Sequence, residues 1–435
     1  MDSRRRGTGG VGARLPASSR RRTRALAILG PGLVTGASDD DPSGIGTYSQ
    51  AGAQFGYQLL WTLLLSYPLM VGIQEISARI GRVTGRGIAA NLRRHQPAGL
   101  ARVLVGILAV ANIVNLGADL GAMGAALKLL VAGPALLYVC LLGLVCMLLE
   151  IFVGYERYAS MLRWLCLSLV SYVICALVSN VSWGGVARAL VWPELTMHSG
   201  YAMAVVAVLG TTISPYLFFW QAQEEVERSR SAPGPVALRR GQAGAEFRRI
   251  RLDTWVGMGI SNLIAVCIVI ATAGALHVRG LTTIETAAQA AEALRHVAGS
   301  FTFAVFALGI VGTGLLAVPV LAGSAAYALG EIFSWRVGLA QLPHRAKAFY
   351  AAIVVATVLG CAMNFTPINP IRALYWSAVL NGVVAVPVMA AMMRLSTSAA
   401  VMGRFVLPRS LRLLGWAATL TMACAVLALL VSWIL

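Results

Sequence analysis

The residues best suited to chemistry lie where charge is least expected. Asp39-Asp40-Asp41-Pro42-Ser43-Gly44 interrupts an apolar stretch that starts at Ala25 and resumes at Ile45. A carboxylate inside an apolar span is costly and therefore marks function. Pro42 has no backbone N–H and Gly44 tolerates unusual torsions, so the chain is expected to unwind there. Unwound backbone within a membrane lines a cavity or holds an ion. A loop between two short helices would also gather three acids, but 26–38 holds 13 residues, too few for a span. A second interruption, Gly210-Thr211-Thr212-Ile213-Ser214-Pro215, divides the apolar runs 201–209 and 216–220. Taken alone it reads equally well as a proline kink. Together the two offer the Asp41 carboxylate, the Thr211 and Ser214 hydroxyls, and freed carbonyls. All are oxygen donors, which suit hard cations such as Mg2+, Ca2+ and Mn2+. A carboxylate at midplane also opposes an anionic substrate.

Such groups need a frame, and composition says which. Of 435 residues, 58% are hydrophobic and 12% charged; mean hydropathy is +0.75. Soluble domains carry about twice that share of charge, which excludes a cytosolic enzyme, a secreted disulfide scaffold and a disordered chain. Eleven apolar runs are long enough to be spans: 26–56, 58–78, 103–127, 132–153, 161–179, 200–227, 254–276, 300–330, 348–363, 372–393 and 411–434. No period-two barrel pattern is seen, so the class is an all-α polytopic membrane protein.

The net charge of +18 would suggest nucleic acid if the arginines shared one soluble face. They do not. With the N-terminus cytoplasmic, 30 of the 35 Lys and Arg residues fall on the cytoplasmic side. Lys128, Arg188, Arg279, Arg295 and Arg372 fall on the other. This follows the positive-inside rule and predicts an inner (plasma) membrane protein with its C-terminus outside. A twin-arginine signal at Ser19-Arg20-Arg21 is the weaker reading, since the apolar run after it ends in acids rather than a cleavage site.

Broken spans at positions one and six are five spans apart, and an odd repeat inverts its second copy. That is the 5+5 inverted-repeat plan of LeuT-type transporters, with the site between the breaks. The expected organisation is a basic leader (1–24), a first repeat (25–179), an extracellular linker (180–199) and a second repeat (200–393). The second repeat holds a mobile cytoplasmic loop, 228–251, and 394–435 brings an eleventh helix. The seven cysteines lie in apolar runs without a C-x-x-C pair, which indicates neither zinc nor redox chemistry. The five histidines fall in loops or at span ends and read as solvated.

Gly30-Pro31-Gly32, Asp41-Pro42-Ser43-Gly44, Gln50-Ala51-Gly52-Ala53-Gln54-Phe55-Gly56-Tyr57 and Leu59-Leu60-Trp61 resemble the first two helices of the NRAMP divalent-metal transporters. Gln74-Glu75-Ile76-Ser77-Ala78-Arg79-Ile80-Gly81 and Val83-Thr84-Gly85 extend the match. The family motif Asp-Pro-Gly-Asn has lost its asparagine to Gly44. The motif Met-Pro-His stands here as Ser214-Pro215-Tyr216. Losing a thioether and an amide removes selection for soft metals and leaves room for water, which Mg2+ keeps when bound. The chain is therefore similar to the NRAMP-related magnesium transporters, with Mn2+ also accepted.

The resemblance implies a ligand set. Asp41 is the charged ligand, Ser38 and Thr211 offer carbonyls, Ser214 replaces the methionine, and Gly44 marks a widened pocket. Asp39, Asp40, Asp119, Tyr216, Gln221 and Asn381 belong to the path or its surroundings. The family's Asp-x-x-Glu pair in the third helix stands here as Leu116 and Asp119, and Tyr216 replaces the histidine. With the proton relay thinned, uptake is expected to follow the membrane potential uncoupled from protons. Glu75 is expected to pair with Arg79 at i, i+4. Glu224, Glu225 and Glu227 suit either ion pairs or a cation-rich exit. A proton-coupled Mn2+/Fe2+ importer is the first rival, and a cation-coupled organic solute carrier the second. No nucleophile–base pair, H-E-x-x-H or phosphate loop points to an enzyme. No cofactor, nucleic acid or protein partner is implied beyond the transported cation and the lipid.

Overall fold

The computed structural model describes residues 36, 38–153, 169–178, 181–194, 199–231, 240–292, 294 and 299–434. Among these residues the regular elements are all helices. In chain order the helices are α1 (Pro42–Phe55), α2 (Leu60–Thr84), α3 (Ile88–His95), α4 (Ala98–Lys128) and α5 (Ala135–Phe152). Then come α6 (Val170–Val178), α7 (Trp183–Val191), α8 (Ser199–Thr212), α9 (Pro215–Ser231), α10 (Arg240–Ala275) and α11 (Ala287–Glu292). The last are α12 (Thr302–Ile332), α13 (Lys347–Met363), α14 (Pro370–Thr397), α15 (Ala399–Met402) and α16 (Arg409–Ile434). Among the described residues seven helical segments are long and apolar enough to cross a membrane.

The packing follows from which faces are apolar. α4 is the central post, set against α12, α14, α5 and α13. α1 lies between α10, α14 and α8. On α16 the side chains Leu413, Leu420, Leu427 and Leu430 are exposed, as a lipid-facing surface requires. Close approach of α8 to α14 depends on Gly210, where a Cβ would lie 2.6 Å from the Gly382 nitrogen.

Three segments differ from the expectation: the sixth span, 228–251 and 180–199. The first half of the first span lies outside the described residues, except Gly36 and Ser38. The sixth span is one 32-residue unit, Ser199–Arg230, interrupted only at Ile213 and Ser214. The expected loop 228–251 is helical at both ends, in α9 and in the start of α10. The reason is pairing across helices. Arg249 meets Glu225 at 2.5 Å and Glu246 at 3.3 Å, and Arg82 meets Glu246 at 3.5 Å. Glu75 meets Arg79 at 2.6 Å, as expected, and also Arg251 at 3.5 Å. The Arg79 guanidinium lies 4.5 Å over the Phe247 ring. Likewise, 180–199 contains α7.

Glu331 of α12 holds the start of α3, accepting from Gly87 N at 2.8 Å and Ala90 N at 3.0 Å. It caps a helix that has no capping side chain of its own. Glu331→Ala should lower stability by about 0.5–2 kcal/mol, read as a lower melting temperature in detergent, with Glu331→Gln recovering part of the loss.

Candidate metal-binding site

The first interruption is short. Ser38 and Asp39 are helical, Asp40 and Asp41 are not, and α1 begins at Pro42. Asp41 is its N-cap and Pro42 its first residue, the arrangement these residue types favour. Asp41 Oδ1 accepts from Gly44 N at 2.6 Å. The other oxygen, Oδ2, accepts from Asn115 Nδ2 at 3.1 Å and from the Tyr216 hydroxyl at 3.2 Å. The same hydroxyl is 3.1 Å from the Ser38 carbonyl oxygen. Two of the expected ligands, Asp41 and the Ser38 carbonyl, therefore converge on one phenol oxygen. Tyr216, placed by sequence among the surroundings, touches both. Asp41 is 2% exposed and Asn115 0%, so these hydrogen bonds form without competing water.

Gly44 packs closely against oxygen atoms, so the widened pocket expected there is not seen. A Cβ there would lie 3.2 Å from Thr211 Oγ1 and 3.4 Å from both the Asp39 carbonyl and Asp41 Oδ1. Thr211 thus presents its hydroxyl toward the break in α1, where its carbonyl was expected. That carbonyl has another partner. Pro215 cannot donate to it, and Ser214 Oγ lies 2.9 Å from both Thr211 O and Gly210 O. The Ser214 hydroxyl is turned back on the backbone, which explains why the sixth span is barely interrupted. Its oxygen keeps lone pairs for a water or a cation.

The surrounding acids are tied to other helices. Ser261 of α10 donates to Asp39 Oδ2 at 2.7 Å and lies 3.1 Å from Asp40 Oδ1. Asp119 of α4 accepts from Ser43 N at 3.1 Å. Ser43 Oγ meets the Leu374 carbonyl and Ser377 Oγ of α14, each at 3.0 Å. Asn381, one turn further along α14, is buried with its amide oxygen unpartnered, and no bond joins it to Asp41. Gln221 is buried in α9. Of Glu224, Glu225 and Glu227, two are paired: Glu225 with Arg249, and Glu227 with the Tyr327 hydroxyl and Leu339 N, while Glu224 Oε2 is buried without a hydrogen-bond partner. His277, read as solvated, lies with Nδ1 2.9 Å from the Ala53 carbonyl at the end of α1.

Asn115 and Ser261 were missed. Each is a polar residue within a largely apolar stretch, and Asn115 shares a face with Asp119 at i, i+4. That signal was present in the sequence.

The chemistry is that of a buried oxygen site. Among the described residues no three His, Cys, Asp or Glu side chains group to hold a metal. The groups around the Asp41 carboxylate are a carbonyl, hydroxyls and an amide, with the Asp39, Asp40 and Asp119 carboxylates close by. Such a set suits a hard divalent cation held loosely enough to leave.

Residues 32–432 match the family described as "Natural resistance-associated macrophage protein-like" (Nramp). The divalent metal cation transporter MntH of Klebsiella pneumoniae (strain 342) is 28% identical over 402 residues, covering 90% of each chain. A mutant of the Eremococcus coleocola manganese transporter superposes with a TM-score of 0.74 at 18% identity, over 96% of this chain and 88% of that one. Mhp1, a nucleobase-cation-symport-1 family transporter, superposes with a TM-score of 0.54 at 14% identity, over 92% of both chains. The fold is thus all-helical, multi-span and LeuT-like.

Proposed function

The chain belongs to the Nramp family across residues 32–432, and from that premise we propose that it carries divalent metal cations across a membrane, binding them at Asp41. It is a transporter, not an enzyme. The observation that carries the site assignment is the convergence of Asp41 Oδ2 and the Ser38 carbonyl on one point, marked by the Tyr216 hydroxyl at 3.2 and 3.1 Å. Alternating access between two inverted five-helix repeats, with the N-terminus cytoplasmic, is the motion we assign. The charge asymmetry of the loops and the likeness to LeuT-like folds support it.

The cargo we propose is a hard divalent cation, with Mn2+ foremost and Mg2+ admitted. The sequence alone put Mg2+ first. Relatives named for divalent metal cations and for manganese favour Mn2+, and they lend no support to a Mg2+ preference. The oxygen-only donor set is what supports admitting Mg2+. Millimolar Mg2+ should therefore block Mn2+ uptake into proteoliposomes. Mn2+ uptake indifferent to Mg2+ would instead make this a selective Mn2+/Fe2+ importer.

We assign no proton coupling. Tyr216 stands at the Asp41 carboxylate, and one oxygen of Asp119 accepts from Ser43 N. An inside-negative potential supplies about 2.3 kcal/mol per charge per 100 mV, twice that for a divalent ion. Internal pH should stay constant while Mn2+ enters; acidification in step with uptake would overturn this.

A further inference from the structure

We propose that Asn115 is an exchangeable ligand of the transported cation: its amide nitrogen holds Asp41 in the empty carrier, and its amide oxygen turns to the metal in the loaded one. The proposal rests on Asp41 being the carrier site.

Asn115 comes from α4, where Asn112 and Asp119 are also buried, and is itself fully buried. Nδ2 lies 3.1 Å from Asp41 Oδ2, while its own Oδ1 is buried with no hydrogen-bond partner. A buried, unsatisfied amide oxygen costs free energy and calls for an explanation. The two ends of a carboxamide exchange places by rotation about one side-chain bond. The end that now donates to Asp41 can thus be replaced, at the same point, by an oxygen.

The two Asp41 oxygens differ in a way that fits. Oδ1 is held by Gly44 N at 2.6 Å, as the cap of α1, and leaving it would fray that helix. Oδ2 has only Asn115 and Tyr216, and each has somewhere else to go. The Tyr216 hydroxyl can donate instead to the Ser38 carbonyl at 3.1 Å. Asn115 can turn over. A cation arriving at Oδ2 would repel the Nδ2 hydrogens and attract Oδ1, so loading itself drives the exchange. The same turn would satisfy the orphaned oxygen. The result is a neutral, hard donor added from a helix outside the two interruptions.

The test uses the purified full-length protein and isothermal titration with Mg2+, Mn2+ and Cd2+. Asn115→Leu, which removes the donor, should weaken Mg2+ and Mn2+ binding about tenfold or more. Asn115→Met, which puts a soft thioether there, should raise the ratio of Cd2+ to Mg2+ affinity about tenfold or more. Asn115→Gln should recover part of the Mg2+ affinity lost in Asn115→Leu. A residue that only packs would lower all three metals together. That result, or wild-type affinities in Asn115→Leu and Asn115→Met, overturns the proposal. Asp41→Ala in the same titration separates the failures. If it abolishes binding while the Asn115 variants bind as wild type, only this inference falls. If Asp41→Ala binds normally, the carrier site itself is misassigned.

Discussion

Asp41→Ala should reduce Mn2+ uptake to the background of empty liposomes. Asp41 is the one carboxylate at the break that accepts from both Tyr216 and Asn115, and the Tyr216 hydroxyl also reaches the Ser38 carbonyl. Alanine removes two things together, the charge and the N-cap of α1, and the cap alone is worth about 0.5–2 kcal/mol. Asp41→Asn separates them. Asparagine is as good a cap as aspartate and still offers an oxygen to Gly44 N, Tyr216 or Asn115. It lacks the charge that sets divalent affinity. Asp41→Asn should therefore fold like the wild type, with a melting temperature close to it, and still lose about a hundredfold or more in Mn2+ affinity. Wild-type uptake in Asp41→Asn would mean that the cation does not bind at the break.

Ser214→Met carries the second large effect, on selectivity rather than rate. Ser214 Oγ now shares its proton between Gly210 O and Thr211 O, 2.9 Å from each. Methionine removes that hydroxyl and places a thioether at the interruption. It also frees the Thr211 carbonyl, which Pro215 cannot serve. A soft donor favours soft metals, whereas Mg2+ gains nothing from sulfur. The ratio of Cd2+ to Mg2+ uptake should rise about tenfold or more. An unchanged ratio would place Ser214 outside the cargo's reach and leave it a purely structural role in closing the sixth span.

These residues also show what a sequence can and cannot express. The break before α1 was legible because its cause is local: three acids, a proline and a glycine within six positions leave the backbone few options. The sixth span was harder. Pro215 announces an interruption, but its extent depends on a Ser214 hydroxyl folding back onto its own carbonyls, and only geometry reveals that. The segment 228–251 reads as solvated loop from its arginines, yet Arg249 and Arg251 are held by Glu225 and Glu75 on other helices. Tertiary pairing there outweighs composition. Asn115 was passed over for a different reason. Leu116 and Asp119 occupy positions that the resemblance defines, while the polar residue beside them has no counterpart in the motif.

The most direct test of the central claim is anomalous diffraction from crystals of the wild-type protein soaked in Mn2+. The account predicts one strong peak within coordination distance, about 2.0–2.6 Å, of Asp41 Oδ2 and the Ser38 carbonyl oxygen, absent in Asp41→Asn. A peak elsewhere in the membrane-spanning region, with none at Asp41, would contradict it.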